Sequence, residues 1–577
     1  MKQIVIACCL AIVGLAAPAR AQGPPAAPKE AAVDEGIPVD SPLVRSRCGG
    51  CHKPDDKGRM TRISYRRATA ENWERTIKRM VTLNHATLTP EDARAVLKYL
   101  TDHQGLAPEE LRPIAYEGER RTIEYTYTAD ETTANLCTSC HTMARVLSER
   151  RTKEEWELLI AMHRGLYPLV DTQPMNGGQG FMRSGGRGGR GGGRGADQAR
   201  PGQAETGPDG RPIDERHPVD HALEHLEKTL PLTTSEWSAW AAAMQPPKLA
   251  GRWAVAGSQL GAGPIFGTVT IAADASAPDS FTTDIRYTVA RTGETVTRTG
   301  KAVVYTGYQW RGRANDWRET LFIERDWKQM WGRWFTGGYD ETGIDVTLTR
   351  MPADPIVLGA SVSALKTGTT GQSVKIFGAN LPASIRPEDV GFGQGVKVTR
   401  IVSARPDELA IDVDVAANAP IGARDASIGG TVKPSIFVVY DKIDGLRVLP
   451  LAGMARVGGA VYPKQLQQFQ AVGLNNGPDG KPDTADDLNL GLVDVKWSLE
   501  EYTATFADDD IQWVGVLDQK GLFTPNLDGP NPKRPGNRNN VGDVWVVAEL
   551  PGSKLRARAQ LLVTVPLYMN WFVEESK

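Results

Sequence analysis

Two short segments carry residues that could do chemistry: Cys48-Gly49-Gly50-Cys51-His52 and Cys137-Thr138-Ser139-Cys140-His141. Each sets two thiols where they can add to the two vinyl groups of a haem, while the adjacent histidine ligates the iron from one side. A lone CxxC could be a redox dithiol, and a pair could bind zinc. The histidine that closes each motif, and the helical pattern that follows it, favour covalent haem. Of six cysteines, Cys8 and Cys9 lie in the N-terminal leader, so the other four are all used by the two motifs. All eight histidines lie at or before His225. The C-terminal half therefore has neither thiol nor imidazole for a transition-metal or triad-type site, and no catalytic residue is assigned on this chain.

The opposite face of each iron is sought through an internal repeat. Met60-Thr61-Arg62-Ile63 aligns with Met143-Ala144-Arg145-Val146, Arg67 with Arg150, Trp73-Glu74 with Trp156-Glu157 and Ile77 with Ile160. On that register Met80 falls opposite His163. Each sits seven residues after its tryptophan, two turns further along the same helix face. The expected iron ligands are His52 with Met80 for the first haem and His141 with His163 for the second. His85 as a rival to Met80, Met162 as a rival to His163, and a plain core methionine at Met80 remain open. Methionine ligation raises a haem potential relative to a second histidine, so electrons should pass from the second haem to the first.

Val96-Leu97 and Leu100 match Ala222-Leu223 and Leu226, so each half closes with a further helix. Between His163 and the second closing helix lies a Gly/Arg-rich insertion, 176–215, with Arg183, Arg187, Arg190 and Arg194. Such a segment cannot offset its ordering entropy and reads as a flexible surface insertion. An RNA-binding reading is disfavoured by export, and the formal net charge of -2 gives no case for a nucleic-acid partner. His217, His221 and His225 follow at i, i+4 and i+8, either as a weak metal site or as a polar helix face.

Residues 1–21 carry Lys2, an apolar run from Ile4 to Ala17, then Ala19-Arg20-Ala21, which reads as a cleaved signal peptide and a periplasmic mature chain. No segment is long and apolar enough for a membrane span. At 577 residues the chain should form about four domains. The expected architecture is an all-α dihaem cytochrome c domain, 22–247, followed by three all-β domains: a Trp-rich antiparallel barrel at 248–354 and two immunoglobulin-like sandwiches at 355–440 and 441–577. The change of period after Pro246, with runs such as Gly267-Thr268-Val269-Thr270-Ile271, carries that reading. The 355–440 sandwich resembles the IPT/TIG type. The loop with Asp479, Asp483, Asp486 and Asp487 offers oxygen ligands of the kind calcium takes, without the bidentate glutamate of an EF-hand.

The two haem motifs, the Trp73/Trp156 repeat and the order haem, haem, barrel, sandwich, sandwich together resemble the alpha, dihaem subunit of bacterial quinohaemoprotein amine dehydrogenase. The resemblance implies a periplasmic heterotrimer in which a small subunit carries a cysteine tryptophylquinone that oxidises primary amines. A β-propeller subunit completes that site, and this chain relays electrons to a soluble blue-copper protein or cytochrome c. The insertion from Asn176 departs from the compact pattern of the family. Two other readings stay open: a carrier and docking scaffold for a different periplasmic dehydrogenase, and a dihaem peroxidase with one open iron.

Overall fold

A computed structural model describes residues 35–115, 127–138, 141–166, 218–337, 342–459, 463–502 and 509–565. The expected signal peptide, the Gly/Arg-rich insertion 176–215, Cys140 and His217 lie outside the described residues.

The N-terminal region is built on helices α1 (Pro42–Cys48), α2 (Ala70–Asn84), α3 (Pro90–His103), α4 (Pro108–Leu111), α5 (Glu131–Cys137), α6 (Met143–Leu147), α7 (Lys153–Leu166), α8 (Pro218–Thr229) and α9 (Ser235–Ala243). Their boundaries follow local chemistry. Thr89 caps α3 by accepting from Asp92 N at 3.1 Å, with Pro90 in the first turn. Asp130 caps α5 by accepting from Thr133 N at 2.7 Å. Helix α2 stops at His85, whose left-handed backbone (φ 57°) turns its N–H onto Met80 O.

This region is not all-α as expected. Two three-residue strands, β1 (Arg66–Ala68) and β2 (Glu149–Arg151), pair antiparallel with Arg67 opposite Arg150. Those are the residues that the repeat aligns, so the ladder is the joint about which the two halves are related. Equivalent backbone bonds flank it: Ala68 N to Gln104 O at 2.9 Å in one half and Arg151 N to Leu230 O at 3.3 Å in the other.

Strands β3–β10 (Gly251–Gln259 through Thr342–Arg350) close an antiparallel barrel. Alternation puts one face inward: in β5 (Ser280–Val289), Phe281, Thr283, Ile285, Tyr287 and Val289 are buried. Trp253, Trp310, Trp317 and Trp334 are buried in the barrel's core, with Trp327 and Trp331 packed against it. The barrel abuts the helical region through Tyr308 Oη donating to Leu106 O (2.9 Å), Thr306 N donating to Asp102 Oδ1 (2.7 Å) and a two-pronged Arg112–Glu324 pair.

Strands β11–β18 (Ile356–Ala360 through Thr431–Tyr440) form two four-stranded sheets around one apolar core. Phe377 from these sheets stacks on Phe266 of the barrel with centroids 5.0 Å apart. Strands β19–β28 (Gly445–Leu449 through Arg556–Thr564) divide into one four-stranded and two three-stranded sheets. No helix among the described residues is long and apolar enough to cross a membrane.

Candidate haem sites

In the first half, α1 ends on Cys48, and the chain turns so that Cys51 N and His52 N both donate to Cys48 O (3.2 and 2.9 Å). Cys48 is half-buried and Cys51 exposed. Burial, then the neighbouring Cys51, push the Cys48 thiol up. Redox-active dithiols need the opposite shift. His52 Nδ1 lies 2.9 Å from Thr61 O. A carbonyl only accepts, so Nδ1 carries the proton and Nε2 keeps its lone pair for a metal. Met60 is fully buried in a core with Val39, Val44, Trp73 and Ile77, against which Cys48 packs. Trp73, Ile77 and Met80 recur at i, i+4 and i+7 of α2, and Met80 is half-buried. His85 is exposed beyond the helix end.

The second half repeats this plan. Met143 is buried beside Trp156 in a core against which Cys137 packs, as Met60 is beside Trp73. The Cys137 thiol is pushed up to about 12 by burial, with the Asp130 charge adding to it. His141 Nδ1 lies 3.0 Å from Thr142 O and His163 Nδ1 lies 2.8 Å from Leu159 O, so both rings keep Nε2 as acceptor. Burial, then Arg145, push His141 down to about 3, with His163 and Arg75 adding to the effect. Burial also lowers His163, against the opposing charge of Glu149. Both imidazoles are thus held neutral, the form that binds metal, and they stand close enough for His163 to act on His141.

What sequence reading missed is the charge buried between the halves. Arg66 and Arg151 both reach Glu149 at 2.6 Å, and Arg67 and Arg150 both reach Glu110, at 2.8 and 3.2 Å. Burial alone would raise the Glu149 carboxyl, yet Arg151 and Arg66 outweigh it and hold the group at about 2. From α2, Asn72 Nδ2 donates to Ser148 Oγ at 2.8 Å, so the helix that carries Met80 also braces the second half. The signal available in sequence was an arginine at the same position of both repeats, Arg67 and Arg150. Alignment shows that repetition but not a shared carboxylate.

His221 Nε2 bonds Asp130 Oδ2 at 2.8 Å, and His225 Nε2 bonds Tyr127 Oη at 2.6 Å, tying α8 to the start of the second half. In the acidic loop, Asp486 accepts from Asp479 N (3.0 Å) and Asp487 from Asp483 N (2.9 Å). Among the described residues no group of three or more His, Cys, Asp or Glu side chains is placed to hold a metal ion.

The donors fit haem better than zinc or a dithiol. Each motif offers one thiol that burial pushes up, Cys48 or Cys137, and a histidine anchored through Nδ1 on a backbone carbonyl. Among the described residues, Trp156 Nε1 also finds no acceptor, in an apolar core beside Cys137. Four family models match the chain: "Quinohemoprotein amine dehydrogenase A, alpha subunit, haem binding" over residues 39–181, and domains II, III and IV of the same alpha subunit over 246–351, 355–441 and 446–573. No curated protein matches. Similar solved structures include a redesigned β-barrel, 16% identical over 18% of this chain and 92% of its own, with a TM-score of 0.16. Another is the cadherin-like domains 1 to 4 of zebrafish RET, 12% identical over 54% of this chain and 66% of its own, with a TM-score of 0.17. At those scores neither bears on function.

Proposed function

Because this chain belongs to the alpha-subunit family of quinohemoprotein amine dehydrogenases, we propose that it is the electron-transfer subunit of an exported amine dehydrogenase carrying two haems c. Cys48, Cys51 and His52 would hold one and Cys137, Cys140 and His141 the other, with Met80 and His163 as the sixth ligands. The observation that carries this reading is the repeated geometry. In each half a CxxCH histidine is anchored through Nδ1 on a backbone carbonyl, at 2.9 Å for His52 and 3.0 Å for His141.

Bound haem supplies a one-electron carrier; the chain's residues set its orientation and surroundings. The Thr61, Thr142 and Leu159 carbonyls fix the ligating tautomers. Met60 with Trp73, and Met143 with Trp156, keep water from the inner side of each motif. With Met80 and His163 completing the ligand sets, the haems would supply electron transfer alone, and substrate chemistry would fall to another subunit. That partner is a small chain with a cysteine tryptophylquinone, completed by a β-propeller subunit. Electrons would pass from the bis-histidine haem to the histidine-methionine haem and on to a soluble blue-copper protein or cytochrome c. The mature chain would begin at Gln22 in the periplasm, and the two β regions after the barrel would serve as immunoglobulin-like scaffolds.

Purification of the native complex, denaturing electrophoresis and staining for haem and quinone test the reading. Two haems on this chain and quinone on a small separate chain are expected; a single haem, or quinone on this chain, would overturn it. Met80→Ala and His163→Ala should each alter the ligand-field bands of one haem only. An unchanged visible spectrum in either variant refutes that ligand.

A further inference from the structure

The two halves bury a tryptophan at the same repeat position and treat its indole N–H differently. Trp73, 2% exposed, donates Nε1 to Gln104 O at 3.1 Å. The equivalent carbonyl in the second half, Leu230 O, accepts from Arg151 N, as Gln104 O accepts from Ala68 N. Yet Trp156, 1% exposed, finds no acceptor for Nε1 among the described residues. Buried indole donors are almost always paired, so this group calls for a partner that the described residues do not supply.

Its surroundings narrow the choice. Trp156 lies in a cluster with Met143, Leu226 and Leu230, and Cys137 packs against that cluster. It precedes His163 by seven residues on α7, about 10 Å along the axis, and therefore faces the rim of a group centred on that histidine rather than its centre. A haem rim is hydrocarbon except for two propionate carboxylates, which are strong acceptors.

We propose that Trp156 Nε1 donates a hydrogen bond to a propionate carboxylate of the haem held by Cys137 and His141, a cofactor contact with no counterpart in the first half. The assignment rests on the two-haem reading. A donor on that carboxylate draws negative charge away from the iron and so favours its reduced form.

The test uses the haem-loaded full chain and the variants Trp156→Phe and Trp73→Phe, with haem stoichiometry measured first on the unaltered protein. One haem per chain defeats the two-haem reading and this inference together, before any variant is made. With two haems present, Trp156→Phe should lower the midpoint potential of the bis-histidine haem and shift its propionate-bending Raman band, and Trp73→Phe should move neither. A Trp156→Phe protein that keeps two haems with both signals unchanged overturns the assignment. Should that variant not fold, a crystal structure of the unaltered haem-loaded chain decides. Nε1 within about 3.2 Å of a propionate oxygen supports the contact, and an indole bonded to protein or lying farther away refutes it.

Discussion

Two buried glutamates, one in the joint of the helical region and one inside the barrel, show how the same side chain comes to opposite states. Glu149 sits between Arg66 and Arg151, and their charge outweighs its burial, holding it at about 2. Glu319 points into the barrel, where burial raises it to about 7, opposed only by the Trp310 indole donating to Oε2 at 2.7 Å. Room for that carboxyl is left by Gly312 on the neighbouring strand: a Cβ there would lie 2.7 Å from Glu319 Oε2. Burial disfavours the ion in both places; the partner decides whether a charge persists.

Breaking the paired site should have the larger effect. Glu149→Gln leaves Arg66 and Arg151 buried without their shared counter-charge, and should cost about 3–5 kcal/mol in urea unfolding at pH 7. A loss under about 1 kcal/mol would show that neighbouring groups already neutralise the joint. In the unaltered chain the Glu149 contribution is complete above its unfolded value and is lost as pH falls toward about 2.

The barrel site should respond with the opposite sign. With its folded value near 7, Glu319 lowers stability as pH rises from its unfolded value to about 7, by about 3 kcal/mol, with no further change above. Glu319→Gln should remove that slope and raise the melting temperature at pH 8 but not at pH 4. Equal melting shifts at both pH values would sink the comparison. The smallest effect belongs to Trp310→Phe. Loss of its hydrogen bond to the ionised carboxyl, worth about 1.5 kcal/mol, should move the stability-versus-pH midpoint upward from 7, measurable as a shifted slope in thermal melts across pH 5–9.

The parts that sequence makes legible are those written in local spacing. The CxxCH motifs read as haem sites because the reaction needs two thiols and a histidine in five residues. The barrel reads from alternation such as that of Ser280–Val289, which periodicity fixes strand by strand. The repeat aligned Arg67 with Arg150, and those two residues stand opposite each other in the β1/β2 ladder. The ladder itself was not foreseen, because three residues are too few to show a period.

Sequence by itself determined the spacing of thiols and imidazole in each CxxCH segment, the doubling of that segment, and the change from helices to strands after Pro246, because each depends on residues within a few turns of one another. Only the tertiary structure decided which polar groups share a buried space. Arg66 meets Glu149 across 83 positions and Arg67 meets Leu232 O across 165. Among the described residues, Trp73 finds an acceptor where Trp156 does not. Electrostatic and hydrogen-bond energies depend on distance and on the exclusion of water, and neither is set until segments far apart in the chain are packed together.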